Sequence, residues 1–350
     1  SLIMLRMTDR LAAELGRPVP GEVAFRGSSV ERLAQALDEE ASPAGSPAEP
    51  PDVSPLVQLQ ARGHKTPFFF VHPATGVVFP YYRLARELGE DRPFYDLHAL
   101  GLDGLAPVDT RIEDMARHYI AAIRRVQPRG PYHIGGFSFG CLVAHEIAVQ
   151  LALEGEPPGL VALLDEPAPI DGYRPSPALM ARMIARGARE SLLPFLPEYL
   201  ALRREGERSG LEWFLARATL SGFFPEEQRP VAMRQPALLK LFELFLLHGR
   251  LTMSYEPRAY PHRLTLLKAT DLRGRAARDP TQGWRMLAAG GVEVHRLPGE
   301  HLTLLREPHV REVARVLRPG GTAFIIDNDL RHGQFAEWLK LHPFAGVDPD

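Results

Sequence analysis

The chain has 350 residues and a nearly balanced charge, with 41 Lys and Arg against 43 Asp and Glu and a formal net charge of -2. This balance provides no bulk field for binding nucleic acid or an anionic membrane surface. Cys141 is the only cysteine, which excludes an internal disulfide and a multi-cysteine metal site. Because the sequence also has no apolar run of membrane-spanning length, we expect a cytoplasmic protein that binds neither nucleic acid nor membrane.

A proline-rich stretch at residues 41–55 divides the chain near its start. Such a stretch, with Ala, Gly and Ser between the prolines, can neither form a helix nor bury apolar surface, so it is predicted to be a linker. Residues 1–40 then form a separate piece.

Short apolar runs alternate with helical patterns beyond the linker. The runs PFFFVHP, YHIGGF and GLVALLD, at residues 67–73, 132–137 and 159–165, predict buried strands. Between the first two, apolar residues from Ile112 to Val126 recur at helical spacing. This alternation predicts the α/β class, with a mostly parallel sheet covered by helices on both faces.

One crossover is far longer than a single helix requires. Roughly one hundred residues separate Asp165 from the next predicted strand, RLTLLKA at residues 263–269. This insertion, at about residues 170–258, contains helical segments rich in large apolar side chains. It is either a helical lid over an apolar substrate channel or an ordinary helical subdomain with its own core.

The segment Gly136-Phe137-Ser138-Phe139-Gly140 follows a predicted strand and precedes a predicted helix. This is the context of a nucleophile elbow in an α/β-hydrolase fold, where a serine sits on a sharp turn. The flanking glycines are expected because a Cβ at either position would collide with a neighbouring backbone. The pattern therefore predicts Ser138 as a nucleophile.

A serine hydroxyl needs a base and an orienting carboxylate to become nucleophilic. His301, one of 13 histidines, lies between the predicted strand GVEVHRL and a predicted helix, where an α/β hydrolase places its base. Two acids are candidates from the residues alone. Asp165 ends the strand GLVALLD, and Asp271 follows the strand RLTLLKA.

An oxyanion hole requires two backbone N-H groups. Phe139 follows the nucleophile, and the turn after FFFVHPATG can provide the second group from Ala74, with Gly76 keeping the turn open. His72 is predicted to shape this loop rather than to act as a second base. The sequence contains no histidine-carboxylate spacing that suggests a metal site and no phosphate-binding glycine-rich loop.

Four segments, FFFVHPATG, GGFSFGCLVAHEIA, LVALLDEPAP and GEHLTLL, stand in this order along the chain. Together they resemble the thioesterase domains that end modular polyketide synthases and nonribosomal peptide synthetases. The resemblance covers residues 56–318 and implies an α/β-hydrolase fold with a helical lid.

The resemblance also implies a role for each matched residue. Ser138 is the nucleophile, Asp165 the acid and His301 the base, while Ala74 and Phe139 provide the oxyanion hole. In this family the acid follows the strand after the nucleophile helix, which favours Asp165 over Asp271. The thioesterase itself is expected to need no cofactor and no metal.

The two ends of the chain resemble other families. Residues 1–40 resemble the second half of an acyl carrier domain, in which Ser1 occupies the phosphopantetheine attachment position. This resemblance implies an acyl carrier domain with 4'-phosphopantetheine as the partner, and upstream synthase modules. The tail at residues 319–350 resembles a late strand and loop of a class I methyltransferase, and its segment TAFII can add an edge strand.

The expected reaction is release of a polyketide or peptide acyl chain from a carrier-protein thioester, through a serine acyl-enzyme, by hydrolysis or cyclisation. One alternative is an editing thioesterase of the free-standing type. The other is a non-catalytic carrier or docking module with a vestigial site.

Overall fold

The structure is a computed structural model that describes residues 10–16, 54–76, 81–101, 106–174, 236–270, 279–318 and 324–326, with single positions between 19 and 38. The chain forms two compact units. The larger unit comprises residues 52–101, 107–174 and 248–350, and the smaller unit comprises residues 1–51, 102–106 and 175–247.

Parts of several predictions lie outside the described residues. These parts are Ser1 and most of the carrier-like segment, almost all of the linker, residues 175–235 of the predicted lid, and all of the tail except residues 324–326. Within the smaller unit, residues 10–15 are helical, and an exposed ion pair of 3.3 Å joins Arg10 to Glu14 one turn later.

The larger unit contains a sheet of eight strands in the order β1-β3-β2-β4-β5-β6-β7-β8. The strands are β1 (Leu56–Gln60), β2 (Phe68–Val71), β3 (Phe94–Leu97), β4 (His133–Phe137), β5 (Leu160–Leu164), β6 (Leu264–Ala269), β7 (Val292–Leu297) and β8 (Phe324–Ile326). All neighbouring pairs from β3 to β7 are parallel. The predicted mostly parallel sheet is confirmed, whereas β1 and β3 were not predicted.

The two outermost strands are antiparallel to their neighbours. β1 pairs with β3, and β8 pairs with β7 through Val292 opposite Ile326. Within the predicted segment TAFII, residues Phe324–Ile326 therefore form the edge strand that its apolar sequence predicts. The sheet thus extends past residue 318, the predicted end of the hydrolase-like region.

Among the described residues, five helices accompany the sheet. They are α1 (Tyr81–Leu88), α2 (Ile112–Val126), α3 (Phe139–Leu153), α4 (Pro236–Ser254) and α5 (His309–Leu317). α1 and α5 pack together on one face of the sheet, over a core that includes Phe68, Phe70 and Leu267. α2 and α3 pack together on the other face, which gives the expected three layers.

α2 and α3 differ in pattern because they occupy different depths. α2 buries one stripe that includes Met115 and Tyr119, and its acidic first turn and basic last turn complement the helix dipole. α3 is buried on almost all sides, including the polar residues His145 and Glu146. A helix enclosed in this way fixes the position of the residue that precedes it, Ser138.

The described ends of the insertion are joined by Arg174. Its guanidinium donates hydrogen bonds to the carbonyls of Pro169, Met253 and Tyr255 at 2.7 to 2.8 Å. The chain therefore returns, after the insertion, to the place near β5 from which it left. No helix among the described residues is long and apolar enough to span a membrane.

Candidate active site

Ser138 forms a sharp turn between β4 and α3. Its backbone has φ 55° and ψ -130°, in a region that non-glycine residues rarely adopt. Such a conformation costs about 1 to 3 kcal/mol and persists only where the surroundings enforce it. The Ser138 amide donates a 3.0 Å hydrogen bond to the carbonyl of Leu164, and the Cys141 amide donates one of 2.8 Å to the carbonyl of Ser138.

The glycines around Ser138 are required for space, as the sequence predicts. A Cβ on Gly136 would lie 2.1 Å from the carbonyl oxygen of Gly140. A Cβ on Gly140 would lie 2.4 Å from the carbonyl oxygen of Val71 in β2. The turn therefore brings strand β4, helix α3 and strand β2 into contact through backbone atoms.

Asp165 lies beside Ser138 because the strands that precede these residues are parallel neighbours, with Phe137 opposite Leu164. Asp165 also has a left-handed backbone, with φ 56°. Its buried carboxylate accepts a 2.8 Å hydrogen bond from the amide of Ala269 through Oδ1. The other oxygen, Oδ2, lies 2.9 Å from Nδ1 of His301.

His301 begins a short 3-10 turn after β7, and its ring stacks on Phe137 at 4.7 Å between centroids. Burial lowers the pKa of His301, but the hydrogen bond with Asp165 and the charges of Glu166 and Asp165 outweigh burial, so the pKa is raised. The Asp165 carboxylate accepts a hydrogen bond from Nδ1-H, which leaves Nε2 as the proton acceptor.

The structure thus brings together three residues that the sequence singled out, Ser138, Asp165 and His301. Asp271, the other candidate acid, lies outside the described residues. Within the described part of the chain, no group of three or more His, Cys, Asp or Glu side chains is arranged to hold a metal ion.

Ala74 and Phe139, the two predicted oxyanion donors, belong to neighbouring backbone segments of the larger unit. Ala74 lies in a turn that the Gly76 amide closes with a 2.9 Å hydrogen bond to the Pro73 carbonyl, and Phe139 is the first residue of α3. Amides at a turn and at a helix start are free of intrahelical partners and can face a developing negative charge.

His72 is buried, and both of its ring nitrogens have partners: the Pro73 carbonyl on Nδ1 and the Tyr119 hydroxyl on Nε2, each at 2.8 Å. Burial, with smaller effects from neighbouring histidines, lowers its pKa well below the ordinary value. A neutral imidazole whose two ring nitrogens are both hydrogen-bonded agrees with the predicted role of His72 in shaping the loop.

Sequence reasoning missed His248. The Nδ1-H of His248, on α4, donates a 2.8 Å hydrogen bond to the carbonyl of Ala74, and its ring stacks on Phe139 at 4.4 Å. Burial lowers the pKa of His248 to about 4, so the ring is neutral at neutral pH. His248 therefore contacts both residues of the predicted oxyanion hole, from a helix far away in sequence.

Sequence reasoning also missed Glu166, which follows the candidate acid. Its Oε2 lies 3.5 Å from the hydroxyl oxygen of Ser138. Burial raises the pKa of Glu166 to about 7, while the nearby His301 opposes this rise. The site therefore contains two carboxylates, one against His301 and one against Ser138.

This arrangement suits acyl transfer. A strained serine at a helix start, a histidine with a proton-free Nε2 and a buried carboxylate are the parts that split an acyl transfer into two easier steps. The same chemistry serves esters, amides and thioesters, so geometry alone leaves the substrate class open.

The chain is similar to parts of much longer synthases and synthetases. Chondramide synthase cmdD of Chondromyces crocatus is 30% identical over 333 residues, which cover 91% of this chain and 8% of that protein. Nonribosomal peptide synthetase btyA of Aspergillus terreus is 29% identical over 336 residues, which cover 91% of this chain and 34% of that protein. The chain thus spans only about a third or less of the length of these relatives.

Two solved structures share the fold. The four-domain nonribosomal peptide synthetase AB3403, bound to AMP and glycine, matches with 25% identity and a TM-score of 0.61 over 90% of this chain and 23% of that chain. The NocB thioesterase domain, in a covalent complex with a fluorophosphonate nocardicin G analogue, matches with 25% identity and a TM-score of 0.51 over 72% of this chain and 92% of that chain.

The larger unit has the α/β-hydrolase fold of the NocB thioesterase domain, with Ser138 on the turn after β4. Residues 66–319 match the family described as thioesterase domain, which is more than half of the chain. The chain therefore belongs to the thioesterase domain family.

Proposed function

We propose that this thioesterase releases a polyketide or peptide acyl chain from the phosphopantetheine thioester of an acyl carrier domain, through an ester on Ser138. The observation that carries the proposal is the 2.9 Å hydrogen bond between His301 and Asp165, next to the strained turn at Ser138. This bond gives the histidine the tautomer that a general base needs.

In the first half of the reaction, His301 takes the proton of the Ser138 hydroxyl, and the serine oxygen attacks the thioester carbonyl. The amides of Phe139 and Ala74 stabilise the negative oxygen of the tetrahedral intermediate. The pantetheine sulfur leaves with the proton held by His301, and the acyl chain remains as an ester on Ser138.

In the second half, His301 takes a proton from the releasing nucleophile, which attacks the ester carbonyl. The bond between the carbonyl carbon and the Ser138 oxygen breaks, and this oxygen regains its proton from His301. Water as the nucleophile gives a free acid, and a hydroxyl or amine of the acyl chain gives a ring.

The proposed partners follow from the names of the relatives, which are synthases and synthetases much longer than this chain. We assign residues 1–40 to a carrier-domain fragment, 41–55 to a linker, 56–318 to the thioesterase and 319–350 to a methyltransferase-like tail, of which Phe324–Ile326 pairs with the thioesterase sheet. The 4'-phosphopantetheine belongs to the carrier, upstream modules supply the acyl chain, and the single reduced cysteine suits the cytoplasm.

A covalent probe tests the proposal directly. The chain is treated with a fluorophosphonate, and the labelled peptide is identified by mass spectrometry. We expect a single label on Ser138, none in Ser138→Ala, and release of thiol from acyl pantetheine thioesters by the unlabelled protein. Labelling of another residue, or no thiol release, would contradict the proposal and favour a vestigial site.

A further inference from the structure

Glu166 lies at the reacting atom of the site. Its Oε2 is 3.5 Å from the Ser138 hydroxyl oxygen, while Asp165, one residue earlier, contacts His301. The backbone of Glu166 is fixed, because the buried indole of Trp284 donates a 2.7 Å hydrogen bond to its carbonyl. A carboxylate in this place is affected twice in the proposed reaction: when Ser138 is acylated in the first half, and when the ester is attacked in the second half.

The hydroxyl hydrogen that Ser138 donates to Glu166 is lost when Ser138 is acylated, because the serine oxygen becomes an ester oxygen. A partly buried carboxylate that loses its donor is destabilised. The next donor to reach this place is the nucleophile that attacks the ester. Such a nucleophile must give one hydrogen to His301, so only a nucleophile with a second hydrogen on the attacking atom can also serve Glu166.

We propose that Glu166 selects the releasing nucleophile, favouring water or a primary amine over an alcohol, by accepting a hydrogen bond from the second hydrogen of the attacking atom. This inference rests on the proposed acyl-enzyme at Ser138. One hydrogen of the nucleophile moves to His301 and then to the departing serine oxygen, and the other stays on the nucleophile while Glu166 accepts its hydrogen bond. An alcohol has one hydrogen, which His301 takes, so Glu166 then remains without a donor.

Glu166 accepts this hydrogen bond more strongly as a carboxylate than as a neutral acid. The groups that face it are Asp165 and His301, together with the buried thiol of Cys141 on α3. Because burial raises the pKa of Glu166 to about 7, its ionised fraction changes near neutral pH. The preference for water over an alcohol is therefore expected to increase as the pH rises through this value.

The experiment measures how the acyl-enzyme partitions between nucleophiles. Acyl pantetheine thioesters are turned over in water with methanol or with glycinamide, and acid, methyl ester and amide products are quantified by mass spectrometry. In Glu166→Ala we expect the ratio of ester to acid to rise about tenfold or more, the size of one lost buried hydrogen bond. The ratio of amide to acid should change far less.

Two further variants and a pH series complete the design. Glu166→Gln keeps an acceptor oxygen and is expected to retain part of the preference for water, whereas Glu90→Gln, an exposed surface control, should behave like the parent. In the parent the ratio of acid product to ester product should rise with pH. Because both products depend equally on His301, this pH dependence reports the ionisation of Glu166. The parent measurement therefore tests the inference even where Glu166→Ala fails to fold.

Two results would be decisive against the inference. An unchanged product ratio in Glu166→Ala, or a parent ratio that is independent of pH, would overturn the role of Glu166 while leaving the acyl-enzyme intact. Absence of any Ser138 acyl-enzyme in the parent would instead overturn the proposed function, and this inference with it.

Discussion

The turn after β4 and the turn after β5 are neighbours at one edge of the sheet, and both force a non-glycine residue into a left-handed backbone, Ser138 with φ 55° and Asp165 with φ 56°. They are held by different means. The turn at Ser138 is followed at once by helix α3, and two glycines allow the backbones to touch. The turn at Asp165 is held by hydrogen bonds, from the Asp165 amide to Leu267 and from the Ala269 amide to the Asp165 carboxylate.

The difference explains what each turn can contribute. Close backbone packing exposes a single side-chain oxygen at a fixed point, which suits a nucleophile. A turn held by hydrogen bonds from β6 leaves room for two consecutive carboxylates, Asp165 against His301 and Glu166 against Ser138. We therefore expect the first turn to be most sensitive to substitutions that add atoms, and the second to substitutions that remove a charge.

The largest effect is expected for Ser138→Ala, which removes the attacking oxygen from the first turn. Thioester turnover should fall by about 10⁶-fold, to the level supplied by the oxyanion hole and substrate binding. The melting temperature should remain near that of the parent, because the variant keeps the backbone hydrogen bonds that hold the turn. Steady-state thiol release checks this, and a tenth of the parent kcat would contradict the assignment.

The second turn is tested by Asp165→Asn. If the Asn oxygen keeps the bond to the Ala269 amide, its NH₂ group faces Nδ1 of His301 and favours the wrong tautomer. We expect kcat to fall by about 10⁴-fold with the fold preserved. Asp271→Asn is the matched control, and loss of activity in that variant with a nearly normal Asp165→Asn would show that the acid is Asp271.

These two turns also show how far the sequence could be interpreted. The elbow was predicted because steric packing demands glycines at fixed positions on both sides of Ser138. Asp165 has no such mark, and only its place at a strand end and the family resemblance favoured it over Asp271. The hydrogen bonds that define it come from β6 and from His301, more than a hundred residues away.

His248 and Glu166 were missed for the same reason. His248 contacts Ala74 across 174 positions of sequence, and nothing in its own helical segment indicates that contact. Glu166 follows a strand like any polar residue, and its nearness to Ser138 depends on the backbone turn at Asp165. Strands β1 and β3 were missed because neither carries a run of apolar residues as continuous as that of β2.

The steric character of the first turn predicts a stability effect for Gly140→Ala. A Cβ there would lie 2.4 Å from the Val71 carbonyl oxygen, so strand and helix must separate. We expect unfolding to become easier by about 1 to 3 kcal/mol, the usual cost of overpacking. Denaturant unfolding measures this change.

Gly155→Ala, at the other end of α3, is the control for Gly140→Ala. Gly155 has φ +80°, but no atom lies within 4 Å of the position that a Cβ would take, so that variant meets backbone strain without a collision. A larger loss of stability at Gly155 than at Gly140 would show that conformation, not space, makes glycine necessary in this region.

The smallest expected effect is a pH shift at the second turn, caused by Glu166→Gln. The charge of Glu166 is one of the causes that raise the pKa of His301, together with its bond to Asp165. Removing that charge lowers the pKa of the imidazole, so His301 becomes proton-free, and able to act as a base, at lower pH. The acid limb of kcat/KM for thioester acylation should therefore move to lower pH, by less than about one unit for a single neighbouring charge.

Because His301 and Glu166 interact, the parent limb reports the pair rather than either residue alone. The acid limb of kcat/KM is therefore measured between about pH 5 and pH 9 for the parent, Glu166→Gln and the surface control Glu90→Gln. A shift in Glu166→Gln alone shows that the second carboxylate acts on the base through its charge. An unmoved limb would mean that Asp165 alone sets the basicity of His301, and the second turn would then act on the base through one carboxylate instead of two.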